Sequence, residues 1–349
     1  MNRIGLFKLM SPVQTQNKKT IKEVKNLTTT NVVIGLIGAM RPRQWVKNIL
    51  LYAGVIFTGA IPGLAWFKQP NFKDISSLVE ATIGFVVFCM LSSGVYLLND
   101  VKDIEKDRQH PKKKFRPIAA GIVPCSLAIT TAIVLWACAL GLTAYLVLGL
   151  GLLSIKFAAL SVIYLIIQIA YSSGLKNQPI LDVCMISLGF ILRAMAGAAA
   201  IDVSISRWLM VCTGLLSLLI GFGKRRHELV ILGAEGSNHR SSLSQYSIAL
   251  TDQFVTIMAA GTIVAYCMYA IESPSADTHF RLYWTIPPVL YAILRYIFLM
   301  QINEKGGAPE HDLLEDKHIM LSILIWIALS VLAFKFTANI PGTFPTGMR

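Results

Sequence analysis

Residues 78–108 read LVEATIGFVVFCMLSSGVYLLNDVKDIEKDR. The first part, 78–98, carries a single charge at Glu80 and is as long as the roughly 20 apolar residues a membrane span requires. The second part is an acidic patch that abuts it. If the span continues as a helix past Asn99, then Asn99, Asp100, Asp103 and Asp107 project at about 0°, 100°, 40° and 80°. All four share one face, and Glu105 points elsewhere. Three carboxylates and an amide oxygen on one arc repel one another unless a cation sits among them. Such hard oxygen ligands, with room left for water and phosphate, suit Mg²⁺, with Mn²⁺ as a substitute. A plain solvated helix end is the alternative, and the shared face directly against an apolar span argues against it.

Outward from this patch the whole chain is apolar. Of its 349 residues 54% are hydrophobic and 15% charged, well below the roughly 25% charged residues of a soluble domain. Yet the formal net charge is +13. Together the two numbers fit an all-α polytopic membrane protein with cationic loops; a soluble enzyme would carry more charge, and a nucleic-acid binder would have basic patches without the apolar excess. Apolar blocks at 47–66, 78–98, 126–148, 152–170, 180–200, 207–223, 253–271, 284–301 and 319–338 predict nine spans, with Gly149 and Gly151 marking a tight turn between the third and fourth. Residues 1–40 are expected to be a polar, basic and flexible tail rather than a cleaved signal peptide. Residues 41–349 are expected to form one transmembrane domain.

Lys and Arg set the orientation. With the N-terminus inside, 23 of the 32 lie on the inner side and seven on the outer, while Arg193 and Arg295 fall within spans. The expected location is the cytoplasmic membrane, N-terminus in, C-terminus out, with the acidic face on the cytoplasmic side. The six cysteines contain no C-x-x-C pair and read as small buried hydrophobes.

Other clusters fall on the same inner side. Lys112-Lys113-Lys114-Phe115-Arg116-Pro117 reads either as lipid-facing positive charge or as a cationic lip over a polyphosphate, with Arg116, fixed before Pro117, the least like a free surface charge. Gly223-Lys224-Arg225-Arg226-His227-Glu228 offers three adjacent cations; Lys224 and Glu228 could equally form a surface pair. Tyr171, Ser172, Leu175, Lys176 and Asp182 flank the fourth and fifth spans, and Arg41-Pro42-Arg43-Gln44-Trp45-Val46-Lys47-Asn48 precedes the first. Arg193 is a costly mid-span charge. Asp182, eleven residues away or about 16 Å along a helix, cannot reach it, so Arg193 is expected to face the bundle interior toward a partner the sequence does not name.

The motif Asn99-Asp100-x-x-Asp103-x-x-x-Asp107 at the inner end of the second of about nine spans resembles the UbiA superfamily of intramembrane prenyltransferases. The blocks Arg41–Asn48, Asp107-Arg108-x-His110-Pro111 through Arg116-Pro117-Ile118-Ala119-Ala120-Gly121, Tyr171-Ser172-x-x-Leu175-Lys176, and Gly223-Lys224-Arg225 leading to Glu228 resemble its decaprenyl-phosphate phosphoribosyltransferase branch. The superfamily's second aspartate-rich motif is replaced here by Lys224-Arg225-Arg226-His227-Glu228, which argues against a prenyl diphosphate donor. The resemblance implies a UbiA-type bundle and Mg²⁺-dependent transfer of 5-phosphoribosyl from phosphoribosyl diphosphate to a polyprenyl phosphate, in the service of cell-wall biosynthesis. It implies Asp100, Asp103 and Asp107, with Asn99, as catalytic and metal-holding residues. Lys47, Asn99, Arg116, Tyr171, Lys176, Lys224 and Arg225 are the expected substrate contacts. No strong general base is expected, since the lipid phosphate is already an anion at neutral pH, and the spacing of His110 and His227 in sequence suggests no His–carboxylate dyad. Two alternatives stay open: an aromatic prenyltransferase of quinone-type biosynthesis, and a transporter of phosphorylated substrates, for which broken helices at the bilayer midplane would be expected.

Overall fold

In hydrocarbon every backbone amide needs an internal partner, which leaves helices as the natural form for the apolar blocks. The computed structural model describes residues 29–58, 74–110, 113–204, 206–232, 242–272, 282–302 and 315–337, and among them there are helices and no strand. In chain order these are α1 (Thr29–Ala39), a 3₁₀ segment (Pro42–Tyr52) running into α2 (Ala53–Thr58), α3 (Asp74–Lys102), the short α4 (Ile104–Gln109), α5 (Cys125–Ala144), α6 (Ile155–Ser173), α7 (Leu181–Ala200), α8 (Arg207–Leu232), α9 (Ile248–Glu272), α10 (Ile286–Ile302) and α11 (Lys317–Thr337).

Among the described residues seven helices are long and apolar enough to cross a membrane, and a shorter apolar stretch covers Lys317–Ala333. The count of nine expected spans is therefore not reproduced as such. Of the first, residues 59–66 lie outside the described residues, and its earlier part is the 3₁₀ segment and α2. The expected turn between the third and fourth spans is present: α5 ends in a π turn at Tyr145–Gly149, and Gly151 takes φ +60°. Ser154 then caps α6 by accepting the Phe157 amide at 3.2 Å. Residues 29–39, counted from sequence with the flexible tail, form α1, whose Ala39 is buried with Leu97, Ile118 and Val123. Residues 1–28 lie outside the described residues.

Helices α3 and α7 are the enclosed ones, with 61% of their apolar windows buried, against 22% for α5 and α6. One core gathers Phe88, Leu91, Phe157, Tyr164 and Leu192, from α3, α6 and α7. A second gathers Leu219, Phe222, Val255, Ile293 and Met300, from α8, α9 and α10. The 3₁₀ segment crosses α7 at backbone contact: a Cβ at Gly197 would lie 2.0 Å from the Leu51 carbonyl oxygen.

Arg193 finds its partners in this crossing. Its guanidinium donates to Asn48 Oδ1 at 2.7 Å, to the Tyr164 hydroxyl at 2.7 Å and to the Gly189 carbonyl at 2.8 Å. It also lies 4.8 Å from the Tyr164 ring centre. A buried cation is tolerated because its donors are taken by oriented neutral acceptors. Its interior position follows the sequence reading, and it ties the 3₁₀ segment to α6 and α7.

Candidate active site

The acidic face forms where α3 ends. The helix does not run unbroken through Asp107: it stops at Lys102, and Asp103 (φ −95°, ψ 11°) starts α4. The break is mild. Asp103 N donates to Asn99 O at 2.9 Å and Asp107 N to Asp103 O at 2.8 Å, so the four-residue spacing is kept. Asn99, Asp100, Asp103 and Asp107 line one cavity of about 250 Å³, together with Arg41, Lys106, Lys113, Arg116, Tyr171, Lys176 and Asn177. Glu105 points away and pairs with Arg108 at 2.9 Å.

Each carboxylate faces a cation. Arg116 donates to Asp107 at 2.6 Å and to Asp100 at 3.2 Å, and Arg41 is ion-paired with Asp100. Lys176 spans both oxygens of Asp103 at 2.7 and 2.6 Å. Asp100 and Asp107 are buried, so these pairs are little screened by solvent. Burial, and then the neighbouring Arg116, hold the Lys113 ammonium below the usual lysine range. Five cations against three carboxylates line the cavity, a surplus that suits an anion of high charge.

The donor set matches a divalent cation in kind. The oxygens of Asn99, Asp100, Asp103 and Asp107 share the cavity, and Asn99 Oδ1 is buried with no hydrogen-bond partner. Among the described residues, however, no three His, Cys, Asp or Glu side chains are already drawn together around one point, because the carboxylates are turned to Arg41, Arg116 and Lys176.

Of the expected substrate contacts, Asn99, Arg116, Tyr171 and Lys176 line the cavity, while Lys47, Lys224 and Arg225 do not. Lys47 lies six residues beyond Arg41 on a 3₁₀ segment, about 12 Å further along its axis. Lys224 is exposed on α8. Arg225 is 2% exposed and faces Asp182 at 3.0 Å, with Glu228 as its second partner. Arg41 was missed as a site residue. It precedes Pro42 in the left-handed region (φ 55°, ψ 62°) and stacks over Tyr96 at 5.1 Å. A non-glycine residue in that conformation carries strain that tends to gather at functional sites. The basic block Arg41–Asn48 was the signal for it, but sequence could not say which cation turns inward.

The description "UbiA prenyltransferase family" belongs to the family profile that matches residues 55–310. Decaprenyl-phosphate phosphoribosyltransferase of Corynebacterium glutamicum is 34% identical over 305 residues, covering 87% of this chain and 87% of that protein. The Mycobacterium tuberculosis H37Rv protein of the same name is 35% identical over 315 residues, covering 90% of this chain and 99% of the relative. A solved UbiA homolog from Archaeoglobus fulgidus, bound to GPP and Mg²⁺, superposes with a TM-score of 0.62 at 15% identity, over 88% of this chain and all (100%) of that one, which speaks for the fold. With acids at the end of α3, a membrane bundle that is all-helical among the described residues and a profile match over most of its length, the chain belongs to the UbiA prenyltransferase family.

Proposed function

We propose that this protein transfers the 5-phosphoribosyl group of phosphoribosyl diphosphate to a polyprenyl phosphate of decaprenyl type, releasing pyrophosphate. The observation that carries the reading is the cavity's charge pattern: three carboxylates ringed by five cations, with no second acidic set among its lining residues. A donor bearing a diphosphate and a 5-phosphate, meeting a lipid phosphate, calls for more positive charge than a prenyl diphosphate meeting an aromatic acid. The names of the two relatives described above support the same chemistry.

Arg41, Arg116, Lys113 and Lys176 would hold the donor's phosphates, and Tyr171 and Asn177 its ribose. Asn99, Asp100, Asp103 and Asp107 would hold Mg²⁺, or Mn²⁺ in its place, which when bound neutralises the donor diphosphate and steadies the departing pyrophosphate. A lipid phosphate oxygen attacks the anomeric carbon as the bond to pyrophosphate breaks, and the leaving group takes the electron pair. The nucleophile is already an anion at neutral pH, so no proton needs removal. In-line displacement converts the α-linked donor into a β-linked product. The chain's own part is charge neutralisation and positioning. The cavity is proposed to open on the cytoplasmic side of the cytoplasmic membrane, in keeping with the 23-to-seven bias of Lys and Arg.

Purified protein, Mg²⁺, polyprenyl phosphate and phosphoribosyl diphosphate labelled in the ribose test this directly. The expected result is label moving into the organic phase. Transfer from a prenyl diphosphate to an aromatic acceptor, without ribose transfer, would establish the aromatic prenyltransferase reading instead.

A further inference from the structure

Between the cavity and α7 the chain makes a three-residue turn at Pro179-Ile180-Leu181. Leu181 N donates to Pro179 O at 2.7 Å, and Ile180 sits at φ 67°, ψ −53°. This positive-φ turn is rare, and a β-branched side chain makes it costlier. Ile180 is 48% exposed, so packing of its own side chain does not enforce the conformation. Such strain persists where surrounding groups over-determine it.

Those groups converge on one phenol. Ile180 N–H donates to the Tyr246 hydroxyl at 2.5 Å, and that hydroxyl donates to Asp182 Oδ1 at 3.0 Å. Asp182 is completely buried, and its other oxygen lies 3.4 Å from Ser242 Oγ and 3.0 Å from Arg225 Nε. Burial pushes the Tyr246 phenol above its usual range, so the proton shared with Asp182 is retained. Just upstream are Lys176 and Asn177, both lining the cavity. The link is short and bonded: Gln178 N donates to Leu175 O, and Asp182 N to Gln178 O, each at 3.1 Å.

We propose that Tyr246 is a positioning residue for the donor site: its hydroxyl, seated on the buried Asp182–Arg225 pair, holds the turn at Ile180 and thereby places Lys176 and Asn177 in the cavity. Tyr246 and Arg225 touch no reacting atom in this scheme. Arg225 then acts through the turn rather than on phosphate, which accounts for its burial. The proposal rests on reading the cavity as the phosphoribosyl diphosphate site.

The test is Tyr246→Phe in the full-length purified protein, which keeps the ring in the apolar cluster that also holds Val183 and Leu219 and deletes the hydroxyl. The donor KM is expected to rise about threefold to tenfold, the range of the one neutral hydrogen bond from Ile180, with the lipid KM nearly unchanged and Tm lowered, because the Ile180 amide and the buried Asp182 lose a partner. Glycine tolerates positive φ, so in an Ile180→Gly background the same deletion should raise the donor KM by a smaller factor. An unchanged donor KM, a parallel rise in both KM values, or the same factor in both backgrounds overturns the proposal. Hydrogen exchange on the unmodified protein serves where Tyr246→Phe does not fold, and it depends on no substrate. The Ile180 amide should be protected like the amides of α7, and exchange at the rate of an open loop overturns the role of Tyr246. Should the unmodified protein transfer no ribose, the functional reading fails, and the exchange experiment still decides whether the turn is held.

Discussion

Lys176 Nζ stands 2.7 and 2.6 Å from the two carboxylate oxygens of Asp103, joining residues 73 positions apart. The pair ties the acidic end of α3 to the segment that follows α6, and it forms one wall of the cavity. Both side chains are only 16% and 30% exposed, and Lys176 lines the cavity proposed to hold the donor's phosphates. Removing it should therefore act on the donor more than on the lipid. Lys176→Ala is expected to raise the donor KM about 10- to 100-fold, the range of a charged hydrogen bond, with the lipid KM little changed. Lys176→Arg should recover part of the loss. Steady-state rates with each substrate varied in turn check this, and an unchanged donor KM counts against the assignment.

Asp100→Asn and Asp103→Asn should each reduce turnover to below about a tenth of the unmodified rate, because even outer-shell partners of a metal cost about 10- to 100-fold when lost. Both variants should remain membrane-inserted, since the change keeps shape and removes one charge. Initial rates across a Mg²⁺ titration read the effect. Retention of more than about a tenth of activity by both would exclude these carboxylates as metal ligands.

Gly197→Ala places a methyl group 2.0 Å from the Leu51 carbonyl oxygen, and backbone cannot step aside as a side chain can. The expected loss is about 3 kcal/mol or more. Gly141→Ala, on α5, meets nothing within 4 Å and should be neutral or stabilising by up to about 1 kcal/mol. Thermal unfolding in detergent separates the two.

Asn48→Ala leaves Arg193 Nε without its acceptor in the bundle interior, at an expected cost of about 1–3 kcal/mol. In an Arg193→Met background the same change should cost much less, because no buried donor is then orphaned. A double-mutant cycle on unfolding temperature measures the difference.

Asp316 Oδ1 accepts the amides of His318 and Ile319 at 3.1 and 3.0 Å, and Oδ2 lies 2.9 Å from Arg295. The Arg295 hydrogen bond, with the capping amides, holds the Asp316 carboxyl below its usual range. A depressed carboxylate stabilises the folded state above the ordinary aspartate range, and that contribution fades as pH falls through the lowered value. Asp316→Ala should thus cost about 1 kcal/mol at neutral pH, with the gap from the unmodified protein closing in strong acid. Unfolding followed from neutral to acidic pH tests the sign.

Much of the scaffold was legible in the residues alone. Hydropathy is local, and the blocks at 78–98, 126–148, 152–170 and 180–200 became α3, α5, α6 and α7 with modest changes at their ends. The block at 207–223 underruns α8 by several residues: the helix continues through the charged run Lys224–Glu228 to Leu232. Charge runs look like loops until a partner such as Asp182 is placed opposite them. The four-residue rhythm of Asn99, Asp103 and Asp107 was equally local, which is why the shared acidic face survived the break at Asp103.

The same local patterns left the cations unassigned. By the topology expected from sequence, Arg41, Lys47, Arg116, Lys176, Lys224 and Arg225 all fall toward one side of the membrane, and no spacing rule separates those that reach the acids from those that do not. The separation comes from packing: Arg41 meets Asp100 across 59 residues, and Arg193 meets Asn48 across 145. Periodicity and hydropathy are short-range, so span position and the acidic face follow from composition and spacing. Charge pairing inside a bundle depends on which helices cross and how closely, so the cations that complete the cavity emerge with the assembled fold.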